Sequence, residues 1–221
     1  LDDLILLTAY PMTPLEEYGA TDSSGFSVSL YDRWIEHKWG SEEKKKRKRW
    51  AKAHVYSGCN TNAIISMEVT SQHKHDVTMV KDLIRKAKEL QFYNFLADKA
   101  YSSREIIQFL DDLGIQSFIP FRKNASGKAR GSMVYRKAYL RFMEDRETFL
   151  KTYHKRSNAE TVFSMLKKRF GNYCRTKTLE SQEIELRIRA LVHNICLLIH
   201  YIYSHSIEID FTQAGTALGQ K

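Results

Sequence analysis

Hydrophobic and polar residues alternate in GFSVSLY (25–31), the two-residue period of a strand with one buried face. WAKAHVYSG (50–58) and NAIISMEVTS (62–71) read as two further strands joined around Gly58–Asn62 in a hairpin-like connection. The period then changes. In DVTMVKDLIRKAKELQ (76–91), Val77, Val80, Leu83, Ile84, Ala87 and Leu90 recur on one side of a helix. FYNFLAD (92–98) is a short apolar run closed by an aspartate and reads as a buried fourth strand; QSFIPF (116–121) reads as a fifth. Between them, Ser102 and Glu105 have capping-box spacing and open a helix that ends near Gly114. Helical sequence runs from about Tyr135 to Phe170, with room for a break, and again from about Glu180 to Tyr203.

Three sequential strands followed by alternating helix and strand predict a mixed α/β sheet flanked by helices. The order matches the ribonuclease-H-like arrangement: five strands, with a helical C-terminal extension. In that topology the first and fourth strands are neighbours. Asp22, at the expected start of the first strand, and Asp98, at the end of the fourth, would then lie at one edge. Either aspartate alone would be read as a cap or turn former.

The stretch YHKRSNAETVFSMLKK (153–168) supplies a third carboxylate. At about 100° per residue, Tyr153, Arg156, Glu160 and Lys167 share an arc of about 60°. Ala159, Val162, Phe163, Leu166 and Phe170 fill the adjacent arc, as expected of a face packed on a core. Three carboxylates within ~4 Å of one another would repel by several kcal/mol at an effective dielectric of about 20. Such a cluster is tolerated when divalent cations sit between the oxygens, and hard oxygen donors suit Mg²⁺ or Mn²⁺. Asp22, Asp98 and Glu160 are therefore candidate metal ligands, with Tyr153, Arg156 and Lys167 placed to hold phosphates.

Charge narrows the partners. The formal net charge is +9, and it is unevenly spread: residues 41–60 hold 7 Lys and Arg against 2 Asp and Glu, and residues 121–180 hold 16 against 5. Basicity concentrated in this way suits a polyphosphate partner such as DNA better than it suits general solubility. Cys59, Cys174 and Cys196 lie far apart without ligand spacing and read as reduced thiols. The most apolar run, ALVHNICLLIHYIY (190–203), is too short for a membrane span and reads as a buried helix. The chain opens LDDLILLTAYP, with no Met and no basic region, and this stretch is not expected to be a signal peptide. Residues 1–20 are expected to be the end of a linker or a lost N-terminal region, 21–203 the catalytic domain with a short basic insertion at 122–152, and 204–221 a tail.

Tyr153, Arg156, Glu160 and Lys167 resemble the Y-x2-R-x3-E-x6-K signature of DDE transposases from prokaryotic insertion sequences. TDSSGFS around Asp22 and ADKAYSS around Asp98 resemble that family's two aspartate segments, although Ala100 stands where glycine is often found. The resemblance covers about Thr21 to Ile199. It implies metal-dependent cleavage at transposon ends and strand transfer into target DNA. Asp22, Asp98 and Glu160 would bind a pair of Mg²⁺ or Mn²⁺ ions, and Arg156 and Lys167 would grip phosphates. It also implies a homodimer or higher assembly on DNA and a cytoplasmic, nucleoid-associated setting in a prokaryote. A ribonuclease-H-like nuclease that cuts without joining, and a domesticated or truncated DNA-binding protein without activity, remain open as alternatives.

Other signals are weaker. EEKKKRKRW (42–50) could grip a DNA backbone or be a solvated loop. Lys128 and Arg130, in the basic loop RKNASGKARGS (122–132), are further candidates for contact with target DNA. In QHKHD (72–76), Asp76 is expected to cap a helix rather than serve a ligand site. His193 and His200 are expected in or beside the core. Tyr135, Tyr139 and Phe142 have the spacing of core residues, with base stacking as the other reading.

Overall fold

A computed structural model describes residues 1–28, 50–87, 90 and 92–205. The described strands form one five-stranded sheet in the order β3-β2-β1-β4-β5, with β1 at Tyr18–Ser27, β2 at Trp50–Gly58, β3 at Ile64–Ser71, β4 at Asn94–Leu96 and β5 at Gln116–Phe118. The first three strands are antiparallel, and β4 and β5 join parallel to β1. This is the ribonuclease-H-like mixed sheet that the element order predicts. The described helices are α1 (Asp2–Ala9), α2 (Val80–Ala87), α3 (Arg104–Asp112), α4 (Met133–Glu144), α5 (Arg146–His154), α6 (Ser157–Phe170) and α7 (Leu179–His205). None of the described helices is long and apolar enough to cross a membrane.

Alternation along β2 and β3 sends side chains to two cores. On one side Val55, Met67 and Phe26 meet Val162, Phe163 and Leu166 of α6 and Leu186 and Ala190 of α7. On the other, Tyr56 and Ile65 meet Leu83 and Ile84 of α2, Phe95 of β4 and Ile107 and Leu110 of α3. Tyr56 is fully buried and lies across β1, where a Cβ on Gly19 would collide with its ring. Only glycine fits beneath it. Leu6 and Ala9 of α1 and Met12 of the following 3₁₀ turn also belong to this core.

Several boundaries differ from those read in the sequence. β1 begins at Tyr18 rather than Gly25, because Gly19, Ala20 and Thr21 extend the buried run backwards. Residues 29–31 of the expected first strand, and the basic stretch 42–49, lie outside the described residues. The expected helix 76–91 is a 3₁₀ turn, Asp76–Met79, followed by α2. Ser103, not Ser102, caps α3 by accepting from the Ile106 amide at 3.1 Å, and Glu105 pairs instead with Lys81 at 2.6 Å. Ser102 donates to Lys99 O, which places it one residue too early to cap the helix. The long expected helix 135–170 is three helices.

Helix α7 is tied to the edge of the sheet by a buried amide. Asn194 is fully buried; its Oδ1 accepts from Ile64 N at 2.8 Å, and its Nδ2 donates to Ile64 O at 2.7 Å and Ile5 O at 3.1 Å. It satisfies backbone groups on the open side of β3 and on α1 at once. The neighbouring His193 is buried and lies 3.0 Å from Asn62 O, while His200 is exposed rather than in the core. Asn194→Ala leaves those groups without partners and should lower unfolding stability by about 3 kcal/mol, read from urea melts; a loss near zero would remove the amide from this role.

His54 on β2 is 1% exposed and sits 2.9 Å from Thr70 Oγ1 through its Nε2. Burial pushes its pKa down to about 4, with Asp76 opposing the shift and Lys52 adding to it. The folded imidazole is neutral at pH 7, while the unfolded one protonates near 6.5. Stability should therefore be flat above about pH 6.5 and fall by up to about 3 kcal/mol as pH drops toward 4. Urea melts across that window should show a shallower fall for His54→Gln than for the unaltered chain.

Candidate active site

Strands β1 and β4 run side by side in parallel, with Ala20 opposite Leu96. Two residues further along each chain stand Asp22 and Asp98. Neighbouring strands are about 4.8 Å apart, so this register brings the two aspartates to the same edge of the sheet. Asp22 lies within β1 rather than at its start, with 24% of its side chain exposed. Asp98 follows the end of β4 in an extended conformation and accepts from Ala100 N at 3.0 Å, capping the 3₁₀ turn Lys99–Tyr101.

The third carboxylate comes from α6, and the break for which the sequence leaves room falls within the signature itself. Tyr153 belongs to α5, which ends at His154, and Arg156 is the residue before α6. Lys155 and Arg156 keep right-handed helical angles across the break. The local bonds tighten there: Arg156 N bonds Tyr153 O at 2.9 Å and Ala159 N bonds Arg156 O at 2.8 Å. Tight turns of this kind continue the helical path, so the four signature residues still share an edge. The Arg156 guanidinium lies 5.7 Å from the centre of the Tyr153 ring.

Arg156 is the hub. Its Nη2 donates to Glu160 Oε1 at 2.6 Å, and its Nη1 lies 3.9 Å from Asp22 Oδ1. Further along, Lys167 donates to Ser24 Oγ at 2.6 Å and sits 5.3 Å from the centre of the Phe26 ring. Helix α6 thus lies along β1, with Arg156 facing Asp22, and Phe163 and Lys167 facing Phe26. The apolar arc of α6 places it: Val162, Phe163 and Leu166 are buried against the sheet, and the charged edge follows from that.

Burial raises the Asp22 carboxyl above the ordinary carboxylate range. A hydrogen bond from the Ser23 backbone and the charge of Arg156 pull it partly back, while Glu160 and Asp76 push it further up. Burial opposes the charge of Arg156 as well, but Tyr153, Glu160 and Asp22 together outweigh it and hold that pKa above its ordinary value. Burial alone lowers the pKa of Lys167. The site is therefore a set of like charges held together by one guanidinium.

The convergence is less complete than the sequence predicts. Among the described residues, no three His, Cys, Asp or Glu side chains are gathered closely enough to hold one metal ion. Arg156 stands between Asp22 and Glu160, and Asp98 is turned to its own turn. Lys128 and Arg130 are exposed on the 122–132 loop, where Arg104 holds the Lys128 and Ala129 carbonyls. Tyr135 and Phe142 are buried around Phe121, and Tyr139 packs on the same ring, so all three are core residues. Asp76 makes no side-chain cap; its carboxylate goes to Lys52 and His54. The sequence reading missed Ser23, Ser24 and Tyr101, whose only signal is that they adjoin the two aspartates.

A family model described as a transposase DDE domain matches residues 14–195. No curated protein and no solved structure matches the chain. The matched span takes in every strand of the described sheet, Asp22, Asp98, and the whole of α5 and α6.

Lys167 separates function from packing. Its ammonium is partly desolvated with one hydroxyl partner, a poor source of stability. Lys167→Met keeps the aliphatic stem over Phe26 and should change unfolding stability by less than about 1 kcal/mol. A loss above about 2 kcal/mol in urea melts would mark the lysine as a structural element instead.

Proposed function

The chain belongs to the transposase DDE domain family, and we propose that Asp22, Asp98 and Glu160 are its catalytic carboxylates in cleavage at transposon ends and strand transfer into target DNA. The observation that carries this reading is the charge arrangement at the edge of the sheet. Asp22 and Glu160 share Arg156, and Asp98 lies across the parallel β1–β4 pair.

The family generally uses divalent metal ions. The residues present fit such an ion: all three candidate donors are carboxylates, and two of them already converge on a cation. Oxygen-only donors favour Mg²⁺ or Mn²⁺, and Asp22, Asp98 and Glu160 would hold one or a pair. Bound there, the ions would activate the attacking oxygen and stabilise the leaving one. The side chains do the rest. Arg156, released from Glu160, and Lys167, close to the same edge, bind the phosphates that flank the scissile bond. Tyr153 supports the Arg156 guanidinium. Lys128 and Arg130 add contacts to the target duplex from the exposed loop.

The chemistry is two displacements at phosphorus. Water attacks the phosphodiester at the element's end; the new P–O bond forms as the bond to the 3′ oxygen breaks, leaving a 3′-hydroxyl. That hydroxyl then attacks a target-strand phosphate, forming the joint and displacing the target's own 3′ oxygen. A homodimer or larger assembly would hold two ends together, and a prokaryotic nucleoid is the expected setting.

The test uses the full chain, duplexes bearing the terminal sequences that flank the gene, a target plasmid and Mn²⁺. Pre-cleaved ends should become covalently joined to the plasmid. Asp22→Asn, Asp98→Asn and Glu160→Gln should each lower joining by about 100-fold or more, as expected when charge stabilisation of about 3 kcal/mol is lost. Unchanged joining in all three would refute the assignment. Cut but unjoined ends would point to a nuclease, and binding with neither cleavage nor joining to a DNA-binding protein.

A further inference from the structure

The two aspartate segments are connected by more than the strand pair. The side chain of Ser23, the residue after Asp22, approaches the hydroxyl of Tyr101. Tyr101 closes the 3₁₀ turn that Asp98 caps, with its own N–H bonded to Asp98 O at 2.9 Å. Its ring is 4% exposed, and its hydroxyl feels the charges of Asp76, Asp22 and Asp98. A single side chain therefore spans from one carboxylate segment to the other.

A second group backs this contact. His54 is the cross-strand partner of Ser23 on β2. Its Nε2 is fixed on Thr70, and its Nδ1 lies 3.2 Å from Asp76 Oδ1, close but not aligned as a hydrogen bond. Lys52, two residues earlier on the same face of β2, reaches the same oxygen at 2.5 Å. Asp76 begins the 3₁₀ turn that precedes α2, and that turn packs against the turn carrying Tyr101. The QHKHD stretch is thus neither a cap nor a ligand set. It pins one 3₁₀ turn to β2 and supports the other beneath Asp98.

We propose that Tyr101 is a positioning residue that sets the separation of Asp22 and Asp98 through Ser23, with Asp76, held by Lys52, as its buttress. The inference rests on the reading of Asp22 and Asp98 as metal-binding carboxylates. Its physical basis is the charge problem of the site: two acids that repel must be held at a working distance before a cation arrives. A rigid phenol serves that purpose better than a flexible chain, since its ring is locked by packing and only its hydroxyl engages. Tyr101 touches neither DNA nor the reacting phosphate in this account; it acts only by fixing the two carboxylates.

The experiment measures Mn²⁺ binding to the DNA-free full chain from the free-ion paramagnetic resonance signal, together with the Mn²⁺ concentration for half-maximal joining. Tyr101→Phe and Ser23→Ala should each weaken Mn²⁺ binding by about 10- to 100-fold, the usual cost of losing a group that orients a ligand. The double variant should be no worse than either single one, because both remove the same contact. Asp76→Asn should shift Mn²⁺ dependence in the same direction while leaving DNA affinity unchanged. A merely structural role would lower the unfolding midpoint without moving Mn²⁺ affinity, and that result would overturn the proposal. So would additive losses in the double variant. Asp22→Asn and Asp98→Asn are run in parallel: if they abolish Mn²⁺ binding while Tyr101→Phe leaves it intact, only the positioning role fails. If they also bind as the unaltered chain does, the underlying site assignment fails with it.

Discussion

The parallel pairing of β1 with β4 is the constraint on which the rest of the molecule depends. Parallel neighbours need a crossover, and here the crossover is long: β2, β3 and α2 all intervene between the two strands. The register places Ala20 beside Leu96, and two acids separated by more than seventy positions in sequence become neighbours. A slip of one residue would turn one of them to the opposite face. Tyr56, pressed over Gly19, and Phe95, stacked on Tyr56 with ring centres 6.0 Å apart, make such a slip costly. The aromatic core on one face thus fixes the acid geometry at the edge.

Against that fixed edge, α6 brings a counter-charge as well as a carboxylate. Its apolar arc sets its azimuth, and the break at Lys155–Arg156 sets where the guanidinium enters. A perfectly regular helix through this point would have been simpler. The tight turn instead puts Arg156 at the start of α6, one turn before Glu160, where it reaches back to β1. With 14% of its side chain exposed, it is shielded enough for its charge to count and open enough to move.

Much of this was legible in the chain. Alternation marks the hairpin of β2 and β3, and the spacing of Tyr153, Arg156, Glu160 and Lys167 marks a charged edge. Both are local signals with fixed periods. What escaped was non-local or depended on one residue of register. Ser103 rather than Ser102 caps α3, a difference of one residue. β1 starts at Tyr18 because Gly19 must pass beneath Tyr56, a contact between residues 37 positions apart. Asp76 follows the general preference of aspartate for helix starts, yet its side chain serves Lys52 and His54, a pairing set by how two turns pack. Among the described residues the three acids are not gathered closely enough to hold one ion, and Arg156 lies between two of them, a placement that sequence spacing does not carry.

The buried amide of Asn194 has a consequence for how the protein behaves in company. Among the described strands β3 is the outermost on its side of the sheet, and its backbone would ordinarily offer an unfinished ladder to any extended peptide nearby. By accepting from Ile64 N and donating to Ile64 O, the amide imitates the peptide unit of a missing sixth strand. The vacancy at that rung is already filled from within, so this end of β3 is closed to the strand-by-strand addition that seeds aggregates.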